Sequence, residues 1–348
     1  MLGISVYAGL GISLEENIKY LEEAKKLGIE NVFLSLHIPE VNNNFLDEIR
    51  ELLLAIKRLN LNLTADISKK YFEKIELNKF NFDALRLDFG FTNQEIAELS
   101  QNIDYKINLN ASTLKESDLK SIIAAAGNLE NIEASHNYYP REETGLSEKL
   151  LVKKNNIFKK YGLDIAAFVP AKYKKRPPIK AGLPTIEKHR FLTPLVAAQD
   201  LLKLGIDKVY IGDSRASKEE LIDFSAVTRD IFIIPIKINE EISQEEKRLL
   251  RLTHKNRQDP GEYLIRSETA RKNIKKRIKP VNNNKRFKYS VTIDNHKYQR
   301  YEGDLNILKK EYPADKKINI VADAGKAAVI IEKIKEGDKF KFKIKGDD

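Results

Sequence analysis

The chain has 348 residues, 42% of them hydrophobic, with 61 Lys and Arg against 51 Asp and Glu and no cysteine. That composition is enough to bury a core. It rules out disulfides and thiolate metal sites, and no apolar run nears the ~20 residues of a membrane span. The net charge of +10 leaves nucleic acid, an anionic surface or a phosphorylated substrate open.

The chain starts directly on an apolar run, without the basic, apolar and cleavage segments of a leader, which points to a cytoplasmic protein. Eight such runs follow in order, each closing on polar residues. They are LGISVY at Tyr7, NVFLSLH at His37, LNLTADIS at Asp66 and Ser68, DALRLD at Arg86 and Asp88, and YKINLNAS at Asn110 and Ser112. NIEASHN spans Glu133 to Asn137, LDIAAFVP ends at Pro170, and DKVYIGD ends at Asp213. Helical stretches separate them. Leu14, Ile18, Leu21 and Ala24 form one apolar stripe, and Ser13 with Glu16 reads as a capping box. Further helices are expected from about Phe45 to Leu59, from Asn93 to Ser100, from Pro194 onward, and from Lys218 to Val227. Gly28, Gly162 and Gly205 each follow a helix and precede an apolar strand start, as left-handed helix caps do. Eight strand–helix units of this kind predict a (β/α)8 barrel, a TIM barrel, whose chemistry gathers at the strand C-termini.

The run IFIIPIKI, residues 231–238, contains Pro235 and reads as an edge or exit strand closing the barrel domain. Beyond it the pattern changes to short strand-like runs with little helix, so residues 239–348 are expected to form a separate β-rich domain, a small barrel. Arg271 to Lys288 is densely basic, but aromatics stand only at its edge, Phe287 and Tyr289. It therefore reads as a solvated loop rather than a base-stacking surface.

Strand alternation puts Arg86 with Asp88 on one face, and Glu133 with Ser135 and Asn137 on another. A charge inside a barrel strand loses solvation and needs a partner, so these residues carry either function or an internal network. Glu133, read as lying late in the sixth strand, is the leading candidate acid or base. His136 would orient a carboxylate or a sugar hydroxyl, and Asp88 and Asp213 complete a set able to reach glycosidase spacing. Their roles within the set stay open. His37, His136 and Asp213 lack the local spacing of a metal site, and Lys69, Lys70 and Lys172 fall beyond the strands, where a Schiff-base lysine is not expected. No Gly-rich phosphate loop is present and no cofactor is expected. Anion binding falls to helix N-termini and to Arg190, Arg257 and Arg266.

One stretch is specific enough to name a family: Asn131 to Ser147, NIEASHNYYPREETGLS. It resembles the bacterial 6-phospho-N-acetylmuramidases, a TIM barrel followed by a cyclophilin-like domain. Matches run along the chain in order: Leu2 to Tyr7, Ser35 to Pro39, Leu85 to Gly90, Leu109 to Thr113, Gly182 to Arg190, Ile211 to Asp213, Ile265 to Glu268, and Thr292 to Asn295 with Tyr298, Arg300 and Tyr301. The resemblance implies an intracellular glycoside hydrolase that cleaves the β-1,4 bond of N-acetylmuramic acid 6-phosphate–N-acetylglucosamine in cell-wall recycling. It puts Asp88, Glu133, His136 and Asp213 at the catalytic rim. Tyr7, His37, Asp66, Arg86, Asn110, Asn137 and Arg190 are expected around the sugar, and Arg257 or Arg266 is expected to reach the phosphate. The partner implied is the phosphorylated disaccharide, not nucleic acid or membrane. A lyase or epimerase of phosphosugars and a non-catalytic sugar binder remain the alternatives.

Overall fold

The computed structural model describes residues 1–36, 45–72 and 82–344, and His37 lies outside them. Two compact units divide the chain, Met1–Ala226 and Val227–Asp348.

The first unit is a closed parallel barrel of β1 (Leu2–Val6), β2 (Asn31–Ser35), β3 (Asn62–Ile67), β4 (Ala84–Leu87), β5 (Lys106–Asn110), β6 (Ile132–Ser135), β7 (Ile165–Val169) and β8 (Lys208–Ile211). Its helices are α1 (Leu14–Lys26), α2 (Phe45–Arg58), α3 (Lys69–Phe72), α4 (Asn93–Asn102), α5 (Glu116–Ala124), α6 (Glu148–Lys160), α7 (Pro194–Lys203) and α8 (Lys218–Ser225). Ser13 and Glu16 do form a capping box on α1, because each side chain takes up the other's free backbone N–H. Gly28, Gly162 and Gly205 are left-handed at φ 74, 74 and 86°.

Alternation sends Ile4, Val6, Val32 and Leu34 outward under the helices and turns their neighbours into the barrel. Phe33 meets Phe168 edge-on at 5.0 Å between ring centroids, and Phe168 stacks on Tyr210 at 5.7 Å. Gly3 makes room for this cluster: a Cβ at that position would lie 2.5 Å from the Tyr210 ring. The barrel is therefore packed through its middle, which leaves the strand ends for polar work.

The second unit is a seven-stranded sheet in the order β10-β15-β9-β14-β12-β13-β11. Its strands are β9 (Ile231–Ile238), β10 (Thr253–Lys255), β11 (Leu264–Arg266), β12 (Ser290–Asp294), β13 (Leu305–Leu308), β14 (Ile318–Asp323) and β15 (Lys339–Ile344), with short helices α9 (Gln244–Leu250) and α10 (Ala328–Ile331). Its two outer strands approach through one bridge, Asn256 to Ser267, so the expected small barrel is a sheet joined at a single point. Residues 231–238 also depart from expectation: β9 is an interior strand of this sheet, not the exit strand of the barrel. Pro235 is tolerated because β9 pairs with β15 through residues 231–236 but with β14 only at 237 and 238. The missing N–H thus falls where one side of the strand is unpaired.

Candidate active site

Arg86, the third residue of β4, is the centre of the polar network inside the barrel. Only 5% exposed, it donates from Nε to Ser135 Oγ (3.0 Å) and from one terminal nitrogen to both Asp66 Oδ1 (2.7 Å) and Asp88 Oδ1 (3.3 Å). Its other terminal nitrogen donates to Asn137 Oδ1 (2.5 Å). Burial works against the charge of this guanidinium, but Asp66 and Asp88 outweigh it and hold the pKa above the ordinary arginine value. Asp66 is the penultimate residue of β3 and Asp88 follows β4, so both carboxylates stand near strand C-termini. Sharing one nitrogen, the two Oδ1 atoms are at most about 6 Å apart, closer to the ~5–5.5 Å of retaining glycosidase pairs than to the ~6.5–9.5 Å of inverting ones. Asp88 and Asn110 also line a concavity of about 210 Å³ with Phe89, a residue 59% exposed.

Glu133 departs most from expectation. It is the second residue of β6, not a late one, and only 2% exposed. Its Oε2 pairs with Lys208 Nζ at 2.5 Å, and its Oε1 accepts from Asn108 Nδ2 at 2.8 Å. Lys208 opens β8, so the pair occupies the N-terminal ends of its strands, away from the rim. Burial opposes the charge on Lys208, yet Glu133 beside it raises the lysine pKa. Asn108 in turn accepts from Ser135 Oγ at 2.6 Å, and this links the floor pair to Arg86.

The other expected site residues have partners within the protein. His136 has the parity of Ala134 and points out of the barrel. Its Nε2 meets Asn155 Oδ1 on α6 at 2.8 Å and its Nδ1 meets Ser112 Oγ at 3.3 Å. Burial lowers its pKa to about 4, which favours the neutral ring. Asp213 is fully buried and accepts three backbone N–H groups, those of Ala171 (2.9 Å), Arg176 (3.0 Å) and Leu183 (3.2 Å). Burial raises its pKa and these donors act the other way. It anchors the long loop after β7. Arg190 is 2% exposed and is engaged within the protein: Glu187 takes its Nε and one terminal nitrogen, both at 2.6 Å, and the carbonyls of Gly182 and, from the loop after β6, Arg141 accept at 3.0 Å. Tyr7 donates to the Gly212 carbonyl at 2.6 Å. In the second unit Arg257 pairs with Asp259 at 2.8 Å, and Arg266 with Asp304 at 2.9 Å.

Sequence reasoning missed Arg176 as a site residue. The loop fixed by Asp213 lays this guanidinium over the rings of Tyr7 (5.1 Å) and Tyr138 (5.8 Å). The signal was available, since an arginine before two prolines sits on a stiff segment, but that segment has no periodicity to say which way it faces.

Two carboxylates gathered at the C-terminal end of a closed parallel barrel fit the class of barrel enzymes that work with acidic side chains at that rim. The family models agree. "6-phospho-N-acetylmuramidase, N-terminal" matches residues 2–226 and "6-phospho-N-acetylmuramidase, C-terminal" matches residues 232–343, so the chain belongs to the 6-phospho-N-acetylmuramidase family. A glycoside hydrolase acting on a phosphorylated sugar is what that membership supports. Among solved structures, a conserved protein of unknown function from Enterococcus faecalis is 32% identical with a TM-score of 0.82, covering 99% of this chain and 97% of its own. An uncharacterized B. cereus protein is 29% identical with a TM-score of 0.82, covering 98% of this chain and 99% of its own. No curated protein matches in sequence. Among the described residues, no helix is long and apolar enough to cross a membrane.

Proposed function

We propose that this protein hydrolyses the β-1,4 bond of N-acetylmuramic acid 6-phosphate–N-acetylglucosamine during cell-wall recycling, with Asp66 and Asp88 as its working carboxylates. The observation that carries this reading is the single Arg86 nitrogen shared by both acids. Asp66 makes the shorter bond and has a side chain only 14% exposed, so it suits the anion that attacks or steadies the anomeric centre. Asp88 makes the longer bond and its side chain is 37% exposed, so it suits proton delivery to the leaving oxygen. Phe89 offers an exposed ring beside Asp88 for an apolar sugar face, and Arg176 a cation for one of the two substrate anions, the phosphate or the lactyl carboxylate.

The test is incubation with the phosphorylated disaccharide in H₂¹⁸O, following products by mass and the freshly released anomer by NMR. One labelled oxygen on the muramic sugar, lactyl ether intact and the β anomer appearing first, is the expected result. Release of lactate would indicate a lyase, and an α anomer appearing first would contradict the carboxylate spacing.

A further inference from the structure

The sheet of the second unit has two unlike faces. Val291 and Ile293 of β12 and Leu305 and Ile307 of β13 are fully buried in the core. Their alternating neighbours are polar and almost as buried: Thr292 is 1% exposed, Asp294 7% and Asn306 8%. Register aligns Arg266, Asn306 and Thr292 in one row across β11, β13 and β12. This row lines a concavity of about 440 Å³, inside the ~300–1,000 Å³ of small-molecule sites. Among the described residues the Asn306 amide oxygen is buried without a hydrogen-bond partner. Burying polar groups unpaired costs free energy, and the fold gains nothing in return on this face.

The rim says what would fit. Tyr298, Tyr301 and Tyr312 border the hollow. Arg266 and Arg286 face Asp304 and Asp315, and Arg266 is already paired with Asp304, so no positive excess awaits an anion. Asp294 adds a carboxyl whose pKa burial and the neighbouring Asp304 push up to about 7, so half of it is neutral near that pH. Aromatic walls, a mixed set of donors and acceptors and near-balanced charge suit an uncharged ligand rich in hydroxyls and carrying an apolar ring face.

We infer that the concavity on the polar face of β11, β12 and β13 is a second binding site, for an uncharged pyranose. The assignment rests on the second unit alone and does not depend on the chemistry of the barrel. Amide hydrogen exchange on the full chain tests it, with millimolar methyl N-acetyl-β-glucosaminide as the probe. Slowed exchange within residues 290–308 is expected. Asn306→Leu and, separately, Tyr298→Ala should each weaken that protection about ten-fold in apparent affinity while the melting transition is kept. Tyr298 is half-buried on the rim, so its variant carries the test if Asn306→Leu does not fold. Protection confined to barrel segments, no protection at all, or protection by a capped dipeptide amide instead of the sugar would overturn the assignment. Barrel and second-unit peptides are read separately, so this result stands or falls apart from the hydrolase reading.

Discussion

Replacing Lys208 by Met should destabilise the barrel strongly without touching its chemistry. Glu133 is 2% exposed and keeps one neutral hydrogen bond, from Asn108, once the ammonium is gone. Removing one partner of a buried ion pair costs ~3–5 kcal/mol, because the other charge is left uncompensated. The retained Asn108 bond and the slight exposure of Lys208, 14% for its side chain, place the cost at the lower end, about 3 kcal/mol. At ~2–4 °C per kcal/mol for a unit of this size, the barrel transition should fall by roughly 6–12 °C in scanning calorimetry. Adding Glu133→Gln to Lys208→Met removes the stranded charge and should recover most of that loss, a coupling that a double-mutant cycle reads directly. Glu133→Gln alone should keep turnover of the phosphorylated disaccharide within about ten-fold of the parent, since a residue at the strand N-termini does not reach the bond being cleaved. A fall of ~10² or more in turnover for Glu133→Gln, with Lys208→Met no less stable than the parent, would refute this reasoning and return Glu133 to proton transfer.

Asp88→Asn and Asp66→Asn should each lower kcat by at least about 10²-fold with little change in KM, measured on protein shown to be folded by its melting curve. Arg176→Gln should instead raise KM for the phosphorylated substrate about ten-fold or more and change kcat less, with a smaller effect on a substrate lacking one anion. His136 and His254 are both lowered to about 4 by burial. The unfolded chain therefore binds more protons than the native one below the ordinary histidine value, so stability should be full above about pH 6.5 and fall as pH drops toward 4. Urea midpoints across that window should show the fall, with His254→Phe flattening it in the second unit, where the ring stacks on Phe340 at 5.1 Å. Gly3→Ala should cost at least ~1–3 kcal/mol through overpacking, since the new methyl would meet the Tyr210 ring. An unshifted melting temperature would refute that packing account.

The barrel was legible because its physics is local. Each strand is a short apolar run, α1 is an apolar stripe with a capping box, and the returns after α1, α6 and α7 each turn on a glycine at positive φ. Alternation also held: it put Glu133, Ser135 and Asn137 on one face, and the same rule carried far enough turns His136 outward. What could not be read was depth along a strand. A 3₁₀ turn at Leu129–Asn131 delays the start of β6, so Glu133 lies near the floor while Asp66 and Asp88 lie at the mouth. Polar residues at strand ends also looked alike, whether their partners were substrate or backbone. Asp213 is answered by amides 30 to 42 residues earlier in the chain, and Arg190 by Glu187 and two loop carbonyls. Such partners are set by how a loop folds back, which composition and periodicity do not encode.

The arrangement divides two tasks that one arginine could not perform together. Arg86 spends donors from all three of its nitrogens on Ser135, Asp66, Asp88 and Asn137, tying the ends of β3, β4 and β6 into one rigid unit. A guanidinium so engaged aligns the two carboxylates and keeps them at fixed spacing, but has little left with which to grip a phosphate. Substrate charge must then be met by a cation outside that network. Arg176 fits: it is half-buried, lies across Tyr7 and Tyr138, and its own backbone N–H is held by Asp213. On the proposed reading Asp213 would serve through position, because its buried carboxylate holds the backbone N–H groups of the loop that carries Arg176.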